Sequence, residues 1–170
     1  MKRRWLVWSV SMLVMGTGTL GCQGALGGPL AFPVVDQKAA WGTQSDGGLD
    51  TTRLQVAMVD RAGLQYCGSS GQVQPFKAVL VIVSGGGQPV VPGTYRVGAG
   101  SSGPAAAFGL IESLDGGTSR TLALSLDGGV TVAACSSTRC SGTFEGLVLQ
   151  PDGGTSGLSG AFDAPAIICD

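Results

Sequence analysis

The chain predicts an all-β fold: a single antiparallel β-sandwich or small β-barrel of about seven to nine short strands. Three observations point there. Glycine is abundant, at 30 of 170 residues, and Asp-Gly-Gly recurs four times, beginning at Asp46, Asp115, Asp127 and Asp152. Asp and Gly tolerate the positive φ that tight hairpin turns demand. Between these points lie runs rich in Val, Ile, Leu and Thr. No long segment carries the 3.6-residue apolar period of a helix.

The chain opens with Lys2-Arg3-Arg4, then an apolar stretch from Trp5 to Met15 broken only by two serines. Gly16-Thr17-Gly18-Thr19-Leu20-Gly21-Cys22 follows. The positive start, the short apolar core and the small residues after it have the order of a secretory signal. A membrane-spanning helix needs about 20 apolar residues, and this stretch is shorter. Thr19-Leu20-Gly21-Cys22 resembles the lipobox of bacterial lipoproteins, with Thr19 where Leu is commoner. The resemblance implies cleavage after residue 21 and lipidation of Cys22. Several acyl chains on one residue make a stable anchor where one chain does not. The alternative is an ordinary cleaved signal and a soluble product. Gln23, rather than Asp, after the cysteine leans toward the outer membrane over the inner one.

Residues 22–33 are dominated by Gly and Pro and read as a lipidated tether, with a folded domain over 34–170. The expected strands are 37–43, 53–60, 76–84, 95–98, 108–113, 121–126, 130–135, 143–150 and 160–169. Ala78 to Val83 is a continuous apolar run, expected to be buried on both faces. Thr121 to Leu126 alternates, with leucines on one face. Asp127-Gly128 is expected to reverse that strand into the next as a hairpin. Pro92-Gly93 predicts a type II turn before Tyr95. Ser141-Gly142-Thr143-Phe144-Glu145 is echoed by Ser159-Gly160-Ala161-Phe162-Asp163. That echo predicts neighbouring strands with both phenylalanines on one face. Pro165 marks an edge or a bulge in the last strand. Pro104 to Leu110 has room for one helical turn at most.

Apart from Cys22 there are four cysteines, at 67, 135, 140 and 169. An even count in an exported chain reads as disulfides. Three pairings are possible. Cys135 and Cys140 enclose four residues, enough for a small loop at a strand end, which leaves Cys67 with Cys169. A four-cysteine zinc site would need paired close spacings, and only one close pair exists.

Cleavage after residue 21 also removes Lys2, Arg3 and Arg4, so the mature 149 residues carry 7 basic and 11 acidic groups. A net charge near −4 opposes nucleic acid as a partner, because phosphate neutralisation needs clustered positive charge. The chain holds no histidine, which rules out Ser-His-Asp and Cys-His catalysis. Glu112 and Glu145 are the two glutamates, a formal glycosidase pair that nothing else marks. Lys38 and Lys77 do not sit in a Ser-x-x-Lys pattern. Gly98-Ala99-Gly100-Ser101-Ser102-Gly103 matches G-x-G-x-x-G, but the helix such a cofactor site requires cannot follow Pro104 for long. The Asp-Gly-Gly sites read as turns rather than calcium loops, with convergence of Asp60, Asp152 and Asp163 left open. Trp41, Tyr95, Phe108, Phe144 and Phe162 read as core rather than as a ligand groove.

The layout resembles uncharacterised all-β lipoproteins of myxobacteria and related Gram-negative groups. The features that carry the resemblance are Cys22, Cys67, Pro92 to Tyr95, Ser159 to Asp163 and Cys169. It implies no known activity, and no catalytic, cofactor-binding or metal residues. The expectation is a cell-envelope module, not an enzyme and without a cofactor, held to the membrane through Cys22 and binding an envelope protein or glycan. The alternative is a β-barrel carrier with an interior pocket for a small apolar ligand. A filled core favours the former and a cavity of several hundred Å3 the latter.

Overall fold

In the computed structural model, residues 24–43, 49–64, 66, 75–98, 103–114 and 118–169 are described. They contain ten strands and no helix: β1 (Ala25–Gly27), β2 (Asp36–Thr43), β3 (Leu49–Val59), β4 (Phe76–Ser84), β5 (Gly93–Arg96), β6 (Ala105–Ser113), β7 (Ser119–Ser125), β8 (Gly129–Cys135), β9 (Arg139–Leu149) and β10 (Thr155–Cys169). The expected all-β class is what forms. Pro104 to Leu110 enters β6 rather than a helical turn.

Seven strands close on themselves in the order β2-β3-β4-β6-β7-β9-β10, with β10 returning to β2. Every pairing in this ring is antiparallel except β10–β2, which is parallel. The ladders run Ala166–Ala39–Val56–Val81–Phe108 on one side of the ring. On the other side Ser125 meets Val148 and Val148 meets Ser156. Since Phe108 N–H donates to the Ser125 hydroxyl, the path leaves β10 at Ala166 and returns to it near Ser156. Such a stagger tilts the strands steeply about the ring axis. The β7–β9 seam is the narrowest, with two paired positions, Leu124 with Leu149 and Ser125 with Val148.

Strand alternation sorts residues between the inside and the outside of the ring. Leu54, Val56 and Met58 of β3 face inward against Val79, Val81 and Val83 of β4, and Ala106, Phe108 and Leu110 of β6 continue the layer. Ala78 is also buried while Leu80 and Ile82 are half-buried on the outer face. The Ala78–Val83 run is therefore fully buried on its inner face and partly covered on its outer one.

The repeated Ser-Gly-x-Phe motif has a packing reason. Antiparallel pairing of β9 and β10 sets Phe144 opposite Gly160 and Phe162 opposite Gly142. A Cβ on Gly160 would lie 2.6 Å from the Phe144 ring, and one on Gly142 2.6 Å from the Phe162 ring. Each phenylalanine thus lies over the glycine of the other strand, and both rings are buried.

Two local expectations are corrected. Asp127-Gly128 does not reverse the chain. β7 and β8 lie end to end along the same edge of β9: Ser125 pairs with Val148, Leu126 N–H donates to Leu147 C=O, and Gly129 pairs with Glu145. The register slips by one residue between them, so the Asp-Gly step is a β-bulge. Gly128 takes φ +109°, and a Cβ built on it would collide with the Glu145 carbonyl oxygen, leaving no room for a side chain. Asp152-Gly153 does make a turn, the β9–β10 hairpin, with Gln150 N–H donating to Gly154 C=O and Asp152 Oδ1 accepting from Gly154 N–H. The Asp-Gly-Gly steps at Asp46 and Asp115 lie outside the described residues.

Second, Pro92-Gly93 is not closed as a type II turn. Gly93 has φ +157° and already belongs to β5. The bend is held by Tyr95 instead. Its hydroxyl donates to Val91 C=O at 2.8 Å and accepts from Val91 N–H at 2.9 Å, an arrangement like a tyrosine corner.

The leucines of β7 divide. Ala123 is buried, Leu122 is half-buried against the core, and Leu124 is 59% exposed, with Leu126 just past the strand 52% exposed.

Order begins earlier than Val34. β1 pairs with β10 through Ala25–Ala161 and Gly27–Ser159. Leu26, Leu30, Phe32 and Val34 then pack against the core. β1 occupies the β10 edge that β2 later takes over. Pro165, which has no N–H to give, falls between Ala161, the last β10 partner of β1, and Ala166, the first of β2. In this gap the buried Gln37 amide accepts from Asp163 N–H and donates to Asp163 C=O, standing in for a ladder.

Candidate functional site

The inside of the ring is occupied by side chains. Trp41, Tyr95, Phe108, Phe144 and Phe162 are all at most 7% exposed. Phe108 and Phe144 tilt against each other with centroids 5.2 Å apart, a favourable aromatic geometry. Trp41 closes one end of the core, its indole N–H donating to Ser136 C=O. The aromatic residues are core; of the open spaces described below, one reaches the inward-facing Leu110 from beside Pro29 to Phe32, and the others lie on the outer surface.

Cys135 and Cys140 face each other across the β8–β9 hairpin and are disulfide-bonded, with α-carbons 4.1 Å apart. Cys169 is disulfide-bonded too. Cys67, the partner expected for it, and Cys22, the expected lipidation site, lie outside the described residues. The remaining charged candidates take local partners. Glu112 accepts from Arg120 Nε at 2.7 Å. Asp163 pairs with Arg139, and Asp60 accepts from Lys77 N–H. Asp60, Asp152 and Asp163 do not converge, and among the described residues no cluster of three or more acidic or cysteine groups is placed to hold a metal. Of the G-x-G-x-x-G run, the described part leads into β6.

One groove of about 510 Å3 crosses β5, β8 and β9. Its floor is Gly128 and Gly129. Arg96 stands on one side and Glu145 on the other, each paired with Gly129 across a ladder. Thr94, Thr131 and Thr143 form a row of outward hydroxyls beside it, with Thr94 and Thr131 Oγ1 atoms 3.1 Å apart. The lining is polar and of mixed charge, so it suits hydrogen-bonding surfaces better than an apolar ligand.

A second groove, about 450 Å3, lies where Pro29 to Phe32 meet Lys77, Leu122 and Gln150. A third, of about 150 Å3, is apolar and lies on the outer face of β3, β4 and β6, lined by Ala57, Leu80, Ile111 and Tyr66. The Tyr66 hydroxyl is buried there and has no hydrogen-bond partner among the described residues. Burial first, then the neighbouring Asp36 carboxylate, hold this phenol well above its ordinary pKa. Lys38 Nζ sits 5.9 Å from the Tyr66 ring centre, within cation–π range.

The outer face of β7 and β9 carries a further feature that the sequence reading missed. Leu124 pairs directly with Leu149, and Leu126 bonds to Leu147 one step along. All four side chains point outward, at 59%, 41%, 52% and 48% exposure respectively. Single exposed leucines are ordinary, but a contiguous set rimmed by polar groups marks a contact surface. Alternation in β7 and β9 was the available signal; it shows that the leucines share a face without showing which face.

Comparison of the chain with protein-family models, with curated proteins and with solved structures finds no match. The fold and its surfaces therefore define the class on their own terms: a disulfide-bonded, all-β domain built on a closed ring of strands.

Proposed function

We propose that this protein is a lipid-anchored module of a bacterial cell envelope, anchored through Cys22, that works by binding rather than by catalysis. The observation that carries the reading is the filled interior of the ring. A carrier of small apolar ligands needs an enclosed cavity of several hundred Å3, whereas here Phe108, Phe144, Leu54, Met58 and Leu158 occupy that volume. Contacts then fall to the outer surface, where the threonine-lined groove and the leucine face lie. The absence of histidine from the chain removes the commonest general base. The lipobox-like Thr19-Leu20-Gly21-Cys22 supports the anchor, and Gln23 supports the outer membrane over the inner.

Mass spectrometry of the processed N-terminus tests the anchor. The expected product begins at Cys22 and carries acyl chains. An unmodified Cys22, or cleavage elsewhere, contradicts it. Solution binding of a hydrophobic dye such as 1-NPN tests the carrier alternative, and stoichiometric uptake into the folded protein would overturn the binding-module reading.

A further inference from the structure

We propose that four outward leucines, Leu124 of β7, Leu126 just past it, and Leu147 and Leu149 of β9, form the centre of an interface between two copies of this chain. The inference is independent of how the protein is anchored.

Area is the first support. The four exposures together equal about two whole leucine residues, on the order of 350 Å2 per copy, so a face-to-face pair buries about 700 Å2 of leucine surface against the roughly 1,200 Å2 or more of a stable specific interface. The rim must supply the rest. Gly109 and Thr155 flank the Leu124–Leu149 pair in the ladders, and Gly157 flanks Leu147. These neighbours are small, so the leucines stand clear of the surface and two such faces can approach closely. An apolar centre with a polar rim is the ordinary anatomy of such contacts.

Symmetry is the second support. An antiparallel ladder has a local two-fold axis normal to the sheet. Here that axis passes between Ser125 and Val148, and it exchanges Leu124 with Leu147 and Leu126 with Leu149. With leucine at all four positions, a second copy turned over onto this face about an axis lying in its plane sets leucine on leucine, as an isologous dimer requires.

Charge selects the occupant and the axis. Asp127 and Glu145 border the Leu126–Leu147 side, whereas Thr155 borders the other, with Asp152 in the turn beyond it. An anionic headgroup layer would repel that acidic border. A second copy, turned about an axis running across the strands, sets the Asp127–Glu145 end of each over the Thr155 end of its partner, so the two doubly acidic borders stay apart. An axis along the strands would bring acid against acid.

The test uses the full chain in the membranes of the cells that make it. A Leu126→Cys variant is treated with a short bismaleimide, and Val91→Cys, 57% exposed on another face, reports random collision. The expected result is a cross-linked dimer at roughly tenfold the Val91→Cys yield, since residence in a complex raises the effective local concentration. Adding Leu147→Asn and Leu149→Asn should return it to the collision level. Retained protease resistance shows that each variant is folded. Three results would overturn the proposal: equal cross-linking at both cysteines, adducts exclusively to other proteins, or a Leu126→Cys thiol that reacts with maleimide only after detergent removes the bilayer.

Discussion

Substituting Gly160 by alanine should destabilise the protein, and the effect should depend on Phe144. The new methyl carbon would sit 2.6 Å from Phe144 Cε1 and 2.7 Å from Cζ, with the Ala25 carbonyl at 2.9 Å. The ring must retreat by most of an ångström, and Phe108 stands behind it at a centroid distance of 5.2 Å. Overpacking of this kind costs about 1–3 kcal/mol. Phe144→Ala alone removes a fully buried ring and should cost about 3–5 kcal/mol. In the double variant the methyl group occupies space the ring has vacated, so the total should fall short of the sum by about 1–2 kcal/mol. The part of the Gly160 cost that comes from Ala25 does not couple, because β1 must move in either background. Urea unfolding with disulfides intact gives the four free energies. Gly157→Ala serves as control, since nothing lies within 4 Å of a Cβ there, and it should change stability by less than about 0.5 kcal/mol. Strict additivity of Gly160→Ala and Phe144→Ala would refute the reciprocal packing.

Tyr95→Phe deletes both hydrogen bonds to Val91 and should cost about 1–3 kcal/mol by thermal or urea unfolding, because Val91 loses partners as well. Gly128→Ala meets both a left-handed φ and the Glu145 carbonyl, so it should cost more than about 2 kcal/mol, whereas Asp127→Ala at the same bulge should lower stability only slightly. Replacing Cys135 and Cys140 together by serine opens a loop with a sequence separation of 5, worth about 2 kcal/mol by chain entropy. The Thr52 hydroxyl and then its N–H donate to Asp50 and hold that carboxyl below its ordinary range. A depressed folded pKa contributes stability above the unfolded value and loses it as pH falls through the folded one. Asp50→Asn should therefore flatten the fall in stability below about pH 4, as read by unfolding at stepped pH.

Much of the strand layout was legible because alternation and Asp/Gly punctuation report local geometry. Nine expected strands overlap β2 to β10, and the Ser-Gly-x-Phe echo located the β9–β10 pair with its phenylalanines on one face. The reason for the echo, phenylalanine over glycine, needed the register. Ring closure was not legible. Whether Asp127-Gly128 folds back or continues depends on β9 offering one edge to both β7 and β8, a non-local fact. Thr121 to Leu126 shows the same limit: period two assigns residues to faces without saying which face turns in, and the register shift between Leu110 and Ile111 interrupts the alternation, with Leu122 against the core and Leu124 exposed. β1 was missed because its glycines mimic a tether, although Leu30, Phe32 and Val34 alternate as core residues do. The outer surfaces, both the polar groove and the leucine face, arise from strands distant in sequence.

The central claim is that the strands close into a ring around a solid core, which leaves only the outside for binding. Backbone nuclear Overhauser effects across the two critical seams test it most directly. The account predicts contacts from Ala39 to Ala166 at the parallel seam and from Ser125 to Val148 at the narrow one, within the same folded molecule. Silence at either seam, or contacts folding β7 back onto β8, would contradict it.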